Sequence, residues 1–548
     1  MDDSFKKVPI NVPKLSGFDK SHQNLLTTKV GTITPIMIDE LIPGSKVHLK
    51  LALSAQLPPL ATDTFMRTSI KVEAFFVPFR LLCGSFESWF TDEPKDVVQS
   101  IAADGTISTA SRAGLLPCIK DNSAASDPIP AWVTNGFATG TLADYLGFKS
   151  LNSAHVRTNA ISAMPFLAYH RIWNDWYRNS LVQKECFLPP DSTNGPVVQG
   201  ASGAPYHFFT AATRYLWTSP QYFALADGKS IFDLRQRNFG LDYFTTATPS
   251  PQQGAAMVVG FGVDANGAGD SSHFSIAALR AANSLQQFKE RNNLLGNVYV
   301  EQVYGRYGVR PSDGIAQRSL YLGRGEFEVY SKGVMQSAQD NQMTTNNPFN
   351  SVATRYGSAY AQGESFLVNF EAKEPGYLMV MATLVPRVTY SSGINRRFLH
   401  YVGPGSISDL ANPILQNVGP QPISEAELSA TGVQSGVFGY TDRYAEFKTM
   451  EDELHGLMRD GSSLDSFALQ RSISGTPRIN SSFLEIPQNY MDNVTAVTAD
   501  LSNYGCWIDT FFDYKVAQPL AKYSLPSLQD PAYEHGKTLV VSRGGSKL

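Results

Sequence analysis

Strict alternation of apolar and polar residues, at widely separated points of the chain, most constrains the fold. In the segment KVHLKLAL, one face carries Val47, Leu49, Leu51 and Leu53. This period of two predicts a half-buried β-strand, because successive side chains of a strand point to opposite sides. The segment SIKVEAFFVPF continues the pattern as far as Pro78, which lacks the N–H group that a sheet ladder needs.

Two further stretches predict strands far from the first. Residues 362–390 predict a hairpin that turns at residues 374–376, and its second strand is apolar on both faces, which is typical of a covered strand. Residues 506–517 also alternate, and one face carries Ile508, Thr510, Phe512, Tyr514 and Val516. The strong strands therefore lie at 31–79, 362–390 and 506–517, and nothing between them repeats at a solenoid period.

These strands predict a mainly β chain with one core that is assembled from distant segments. We expect this domain to span residues 31–520 and to carry long insertions that contain helices and loops. Residues 1–30 are predicted to form an extended arm, because Pro9, Pro13 and Gly17 disfavour a helix; the alternative is a disordered tail. Residues 521–548 form a C-terminal extension in this division.

The period changes in the segment PFLAYHRIWNDWYRNSL. Its spacing of i, i+3, i+4 and i+7 predicts an amphipathic helix with His170 and an aromatic stripe of Phe166, Tyr169, Trp173, Trp176 and Tyr177. Pro165 suits the first turn of this helix. Core packing is the simpler interpretation of the stripe, and a surface that stacks nucleobases is the alternative.

Residues 187–273 have a different composition, with ten glycines and few basic residues. Their aromatic residues include Tyr206, Phe208, Phe209, Tyr215 and Trp217. These rings argue against a flexible linker, and a structureless loop of this length would be unusual inside a compact domain. The segment is therefore predicted to be an insertion with its own fold. A helix is predicted to follow from about Ser275, with Ile276, Leu279, Leu285 and Phe288 on one face.

The composition indicates that part of the protein surface is not exposed to solvent. Charged residues make up 17% and aromatic residues 11% of the 548 positions, whereas ordinary soluble domains carry about 25% charged residues. Persistent interfaces are depleted in Lys, Glu and Asp and enriched in aromatic residues. We therefore expect a protein that buries much of its surface against copies of itself.

The net charge of −4, from 45 basic and 49 acidic residues, excludes a uniformly basic nucleic-acid binder, so any such contact is expected to be local.

Cysteine usage and hydropathy bear on the compartment. The scattered positions of Cys83, Cys118, Cys186 and Cys506 match neither a disulfide framework nor a zinc site, which favours a reducing compartment. The N-terminal segment lacks the apolar stretch of a signal peptide. The chain has no apolar run of about 18 residues, so no membrane insertion is expected.

Catalytic motifs are not found. Residues 225–230 end like a phosphate-binding loop, but Phe223 stands where that loop needs its first glycine. The nucleophile-elbow, zinc-protease and dinucleotide-binding patterns are absent from the sequence. We therefore expect no enzyme activity, no catalytic residues, no metal and no cofactor. A carbohydrate-binding or adhesin protein, or an enzyme on a β scaffold, are the alternatives to a structural protein.

Four segments carry a resemblance to a known family. They are residues 31–82 with the ending FFVPFR, residues 164–180 with AYHRIWNDWYR, residues 290–325 with QRSLYLGRG, and residues 441–469 with RYAEFK. Together, and in this order, they resemble the major capsid proteins of the Microviridae, the small single-stranded DNA phages, and in particular the gokushovirus-like branch. Ser319, Leu320, Arg324 and Phe467 depart from the pattern of the branch.

The resemblance implies a fold and a role. The fold would be a single viral jelly roll, an eight-stranded antiparallel β-sandwich or barrel. Sixty copies would form a T=1 icosahedral shell around circular single-stranded DNA, with pentamers as intermediates. In this branch an insertion forms protrusions around the threefold axes, and residues 187–273 are the candidate for it.

The resemblance also implies partners and a location. The DNA contacts are predicted to lie in the two terminal segments, at Lys6, Lys7, Lys14, Lys20, Lys537, Arg543 and Lys547; the alternative is that both termini are simply solvated. A separate small basic viral protein would share the neutralisation of the DNA, and the protrusion would meet a host receptor. The protein would be made and assembled in the cytoplasm of a host bacterium and would end in the virion capsid.

Overall fold

A computed structural model describes most of the chain. The described residues are 7–12, 15–83, 86–91, 95–101, 107–112, 116–119, 131–148, 161–186, 188–191, 195–199, 205–207, 216–217, 225, 227–255, 276–296, 298–335, 355–399, 413–496, 505–520, 522 and 537–542. At 7–12, 95–101, 107–112, 188–191, 195–199, 205–207, 216–217 and 537–542, only the backbone is described.

Strands are the main regular element. They are β1 Lys7–Val12, β2 Ser16–Asp19, β3 His22–Thr28, β4 Thr34–Leu41, β5 Lys46–Gln56, β6 Thr68–Pro78, β7 Lys95–Ile101, β8 Ile107–Arg112, β9 Cys118–Ile119, β10 Ile161–Ser162, β11 Leu188–Asp191, β12 Gly195–Gln199, β13 Pro205–His207, β14 Leu216–Trp217, β15 Leu320–Met335, β16 Arg355–Glu371, β17 Gly376–Pro386, β18 Gln421–Ser424, β19 Val437–Thr441, β20 Cys506–Gln518 and β21 Lys537–Ser542.

Helices are few and mostly short. They are α1 Phe86–Thr91, α2 Ala131–Gly136, α3 Leu142–Tyr145, α4 Met164–Ile172, α5 Ile276–Leu295, α6 Tyr299–Tyr307 and α7 Ser481–Leu484. A π-helical turn, Trp173–Tyr177, extends α4. Short 3-10 helices occur at Phe79–Leu81, Arg396–Phe398, Leu415–Val418, Glu425–Glu427, Ala445–Phe447, Gly456–Met458 and Asp465–Phe467.

One antiparallel sheet of nine strands organises the described residues. Its order is β2-β20-β5-β16-β15-β6-β17-β4, and β3 pairs with β20 on the same side as β2. The register sets Phe512 of β20 opposite Leu51 of β5, and Val380 of β17 opposite Ala74 of β6. Strands that are hundreds of residues apart in the chain are therefore neighbours in space.

Strands β15 and β16 make this sheet curl. Residues 320–329 of β15 pair with β6, whereas residues 330–335 pair with β16. Register shifts at 321–323 and 366–368 mark bulges, which bend a strand and increase its twist. The concave face closes on one core that contains Leu49, Val72 and Val380 from strands on both sides of the bend. All four alternating residues of β5, from Val47 to Leu53, are buried there.

Strands β6 and β17 are covered on both faces. Phe75 and Met379 point away from the concave face and join a second apolar cluster beneath α4. Tyr243, Phe244 and Phe438 belong to a third cluster, in which residues 243–247 pack against the segment between β17 and β20. The doubly apolar pattern of β17 in the sequence therefore corresponds to a strand between two cores.

The prediction of a mainly β chain with a single jelly-roll core is confirmed by this curled antiparallel sheet. The strand number differs from the eight that the resemblance implies. Residues 16–28, within the predicted N-terminal arm, form β2 and β3 and extend the edge of the sheet along β20. The sheet therefore contains nine paired strands, because two strands of the predicted arm are added at its edge.

Part of the predicted insertion lies in the core. Ile231 and Phe232 pack beneath α4, Phe239 joins the main core, and Tyr243 and Phe244 belong to the third cluster. Residues 231–247 therefore connect the three apolar clusters, since most of their large apolar side chains are buried in one of them; Leu241 is exposed. An exposed protrusion is accordingly proposed below only for the parts of 187–273 on either side of this stretch.

Candidate assembly and nucleic-acid surfaces

The aromatic stripe of α4 faces inward. Phe166, Tyr169 and Trp173 are buried in the second apolar cluster, and Trp176 and Tyr177 pack against its edge. The π-helical turn carries these last two rings over Phe75 of β6, with ring centroids 6.1 and 5.9 Å away. The three buried rings are thereby inaccessible to a nucleobase.

A buried arginine connects α4 to the segment before residue 240. Arg235 donates hydrogen bonds to the carboxylate of Asp227, to His170 Nδ1 at 3.0 Å and to Cys186 Sγ at 3.1 Å. Burial and the charge of Arg235 hold the pKa of His170 well below its usual value, so this ring is neutral. Burial raises the pKa of the Cys186 thiol to about 12, so it is not a nucleophile at neutral pH.

A second buried charge pair fixes the same segment to the sheet. Glu73 of β6 accepts hydrogen bonds from Arg237 at 2.6 and 3.1 Å and from the hydroxyl of Tyr177 at 2.5 Å. Burial favours the neutral carboxyl, but the hydrogen bond and charge of Arg237 outweigh it, and the pKa of Glu73 is lowered. Both networks have the chemistry of structural anchors, because every charge in them is already paired.

The two ends of the chain form one ribbon. Strand β1 pairs antiparallel with β21, so Lys7 lies opposite Ser542 and Val12 lies opposite Lys537. Lys6, Lys14, Arg543 and Lys547 lie outside the described residues. The pairing brings the two terminal strands together, with Lys7 in one and Lys537 in the other, which the sequence alone did not indicate.

Lys20 differs from the other candidates for DNA contact. Its Nζ atom lies 2.8 Å from Asp39 Oδ2 of β4 and 5.8 Å from the ring centre of Tyr514. The hydroxyl of Tyr514 donates to the same carboxylate at 2.6 Å. The charge of Lys20 is thus paired within the chain, at the edge where β2 and β20 meet.

The aromatic candidates of the insertion are only partly described. Tyr206 lies in β13, opposite Val198 of β12. Trp217 lies in β14, which pairs in parallel with β9. Phe208, Phe209 and Tyr215 lie outside the described residues.

Exposed apolar residues outside the predicted sites mark a further candidate surface. On α5 and α6 they include Leu279, Phe288, Leu294, Tyr304 and Tyr307, and between β17 and β20 they include Phe398, Phe447, Met450 and Leu457. The sequence predicted the helix but not its exposure, because periodicity does not show which face meets a core. Isolated apolar residues are normal on a surface, but groups of this kind are typical of interaction sites.

Among the described residues, no helix combines the length and the apolar character that a membrane span requires. In the same part of the chain, no group of three or more His, Cys, Asp or Glu side chains is arranged to hold a metal ion.

The curled antiparallel sheet defines a mainly β protein, and groups of its apolar side chains are exposed. Comparison with known families agrees: the model of the phage capsid protein family (F protein) matches residues 7–268 and 267–528. The chain therefore belongs to this capsid protein family. The resemblance to Microviridae major capsid proteins of the gokushovirus-like branch is thereby confirmed.

Three curated relatives are similar over nearly their whole length. Capsid protein VP1 of Chlamydia phage 1 is 25% identical, covering 96% of this chain and 98% of the relative. Capsid protein VP1 of Bdellovibrio phage phiMH2K is 24% identical, with 96% and 97% covered. Capsid protein VP1 of Spiroplasma virus 4 is 24% identical, with 93% and 94% covered. The chain is a structural protein of a phage capsid, and membership of this family implies that it assembles with copies of itself.

Proposed function

We propose that sixty copies of this chain form a T=1 icosahedral shell around a circular single-stranded DNA genome, through pentameric intermediates. The exposed apolar and aromatic residues of α5, α6 and the 390–460 region support this proposal, as does membership of the capsid family. A closed shell needs different surfaces of one chain to meet around each symmetry axis. Many weak contacts of this kind then stabilise the shell together.

The ribbon formed by β1 and β21 is the proposed DNA contact. It joins the two terminal segments that carry the basic candidates, and residues 536–548 contain no acidic residue. Lysine and arginine bind phosphate groups irrespective of base sequence. Because the whole chain has a net charge of −4, a separate small basic viral protein is proposed to neutralise most of the DNA.

A protrusion is proposed for residues 187–224 and 256–273. Their composition, rich in glycine and punctuated by aromatic rings, suits an exposed loop domain. The buried apolar residues of the stretch 231–247 between them would hold this domain to the shell. The proposed partner of its tip is a receptor on the host surface.

Assembly is proposed to occur in the cytoplasm of the host bacterium. None of the four cysteines, all of which lie in the described part of the chain, forms a disulfide, and Cys83, Cys186 and Cys506 are buried. Thiols without disulfides are typical of a reducing compartment.

Expression of the full chain in bacteria, followed by sedimentation and negative-stain electron microscopy, tests the proposed function. We expect spherical particles of uniform size, or pentamers that convert to them when DNA and the basic viral protein are supplied. A protein that remains a monodisperse monomer under all of these conditions would contradict the proposal.

A further inference from the structure

Helix α5 is held to the rest of its chain mainly by polar contacts. None of its described side chains belongs to the three apolar clusters. Asn293 Nδ2 donates to the carbonyl of Ser250 at 2.5 Å, and Lys289 Nζ donates to the carbonyl of Ala255 at 2.8 Å. In proteins most helical stability comes from packing of one face against another element. This helix of 20 residues therefore has a long side that the described part of its own chain leaves uncovered.

Five residues form a stripe along the outer side of α5. They follow one another at alternating steps of three and four positions, the spacing that keeps residues on one side of a helix that packs against another helix. Arg280, Asn283 and Gln287 are exposed, Leu294 is 60% exposed, and Glu290 is half-buried. These five residues are called the α5 stripe below.

The two charges of the α5 stripe have no ion-pair partner among the described residues. Arg280 forms neither a hydrogen bond nor an ion pair there. Glu290 accepts a hydrogen bond from Gln286 Nε2 at 2.8 Å, which leaves its negative charge uncompensated. Arg280 and Glu290 are separated by a rise of about 15 Å along the helix, so they cannot pair within one copy. Their charges are therefore available to another molecule.

The α5 stripe is complementary to itself when two copies of the helix run antiparallel. With position 285 of one helix opposite position 285 of the other, Arg280 of each copy shares a layer with Glu290 of the other copy. Asn283 of each copy likewise meets Gln287 of the other, and Leu294 lies over the first turn of the opposite helix. Each of these layers occurs twice, because the arrangement has a twofold axis and the same surface serves both copies.

Other arrangements of the same two helices lose this complementarity. A parallel pair in register places Arg280 against Arg280 and Glu290 against Glu290, and like charges repel. Sliding the antiparallel helices by one heptad puts Glu290 opposite Gln287, or Arg280 opposite Asn283, and leaves the other charge beyond the end of the opposite helix. Charge complementarity therefore selects a second copy of this chain as the partner, in one orientation and one register.

We propose that α5 packs antiparallel against α5 of a second copy of this chain across a twofold axis of the shell, with Arg280 of each copy facing Glu290 of the other. This inference rests on the proposed function, because an icosahedral shell has twofold axes at which identical surfaces of two copies meet. Leu279, which is 54% exposed beside the stripe, adds apolar contact area. The contact covers the side of α5 that its own chain leaves exposed.

Charge exchange within the full-length chain tests this contact. The variants R280E and E290R each place like charges opposite one another in both charged layers, so particle yield at physiological salt is expected to fall about tenfold. The double variant R280E/E290R restores opposite charges across the twofold axis, and its yield is expected to return to within about threefold of the wild type. Arginine and glutamate have similar helix propensities, so α5 itself is expected to persist in all three variants.

A matched control separates pairing from net charge. Arg291 is exposed on α5 next to Glu290 but lies outside the stripe. The variant R291E makes the same change of charge as R280E, and its yield is expected to stay within about threefold of the wild type. The variant E290R/R291E has the same net charge as R280E/E290R but keeps Arg280 opposite a positive charge, so it is expected not to restore the yield.

Cross-linking gives a second measurement, which also decides the matter if a charge variant fails to fold by circular dichroism. Asn283 and Gln287 of opposite copies share a layer, so N283C/Q287C is expected to give disulfide-linked dimers when assembled particles are mildly oxidised. The control A281C/L285C has the same spacing at exposed positions on another side of α5. It is expected to remain monomeric in non-reducing electrophoresis.

Three results would overturn the contact while the wild type still forms particles: normal yield of both R280E and E290R, no greater rescue of E290R by R280E than by R291E, or no more dimers from N283C/Q287C than from its control. Loss of DNA from R280E and R291E particles at normal yield would assign this side of α5 to nucleic acid instead. Failure of the wild type to assemble would contradict the proposed function itself.

Discussion

Arg237 donates two hydrogen bonds to the carboxylate of Glu73 of β6, from Nη1 to Oε2 at 2.6 Å and from Nη2 to Oε1 at 3.1 Å. The pair lies between the central sheet and the stretch 231–247, and the hydroxyl of Tyr177 completes it from the end of the α4 region. Three segments that are far apart in sequence therefore meet at one carboxylate. A shell subunit benefits from such an anchor, because the surfaces that contact neighbours must keep fixed relative positions.

Removal of one partner from this ion pair is expected to lower the stability of the folded chain. The variant Arg237→Ala leaves Glu73 buried and unpaired, so the free energy of unfolding should fall by about 3–5 kcal/mol. Chemical denaturation of unassembled subunits measures the change. The control is Lys46→Ala, which removes a 3.9 Å pair with Glu371 in which both side chains are 56% exposed; it is expected to change stability by less than about 1 kcal/mol. Equal effects of the two variants would contradict the role of Arg237.

Gly31 is expected to tolerate no side chain. Its φ angle is +69°, and a Cβ atom there would lie 2.5 Å from Ile486 Cβ and 2.9 Å from the Ile486 carbonyl oxygen. Gly31→Ala therefore adds a steric clash to backbone strain and should lower the free energy of unfolding by about 3 kcal/mol.

The matched control for this glycine is Gly140→Ala. Gly140 has a similar φ of +81°, but no atom lies within 4 Å of its Cβ position. Only the conformational cost remains there, about 1 kcal/mol. Thermal or chemical unfolding of both variants measures the difference, and equal losses would show that the close approach of Ile486 is unimportant.

The sheet was predictable from the sequence because alternation directly reports which side of a strand is buried. The alternating residues of β5 and β20 lie in the core where the pattern places them. The partners of Glu73 and Lys20 were not predictable, since Arg237 and Asp39 contact them only through the fold. The exposure of Phe288 was also missed, because an amphipathic pattern is the same for a face that meets its own core and a face that meets another chain.

The insertion shows a different limit of sequence reasoning. Low charge and frequent glycine distinguish residues 187–273 as a whole, but composition averages over a segment. Ile231, Phe239 and Phe244 are buried in three different clusters, and the ion pair of Arg235 with Asp227 is inside the protein. The tertiary structure was therefore needed to show which individual residues of this segment are buried.

Glu451 is expected to make the subunit less stable as the pH rises. Burial, together with the charge of Asp242, raises the pKa of this carboxyl from its usual value of 4.5 to about 7. The folded state then holds the proton more tightly than the unfolded state. The resulting stabilisation is complete below pH 4.5 and is lost as the pH rises through 7.

The variant Glu451→Gln tests this pH dependence. At pH 8 its free energy of unfolding should exceed that of the wild type by about 1 kcal/mol, a value reduced from the full pKa shift because the carboxyl is partly exposed to solvent. The gain should disappear near pH 5. The variant Glu453→Gln removes the same charge from an exposed neighbouring position. Denaturation of unassembled subunits from pH 5 to 8 checks both, and parallel pH profiles for Glu451→Gln and the wild type would contradict the expectation.

The basic residues of the two terminal segments are expected to determine how much DNA a particle contains, whereas Lys20 is expected to have no effect on the DNA content. The variant K6A/K7A/K14A/K537A should lower the DNA per particle about twofold and weaken the salt dependence of DNA binding, because fewer phosphate contacts form. Lys20→Ala should leave the DNA content unchanged and lower stability by about 1 kcal/mol, since its charge is paired with Asp39. Absorbance ratios of purified particles and nuclease-protected DNA measure the content. Filled particles with normal DNA from the fourfold variant would rule out the ribbon of β1 and β21 as the DNA contact.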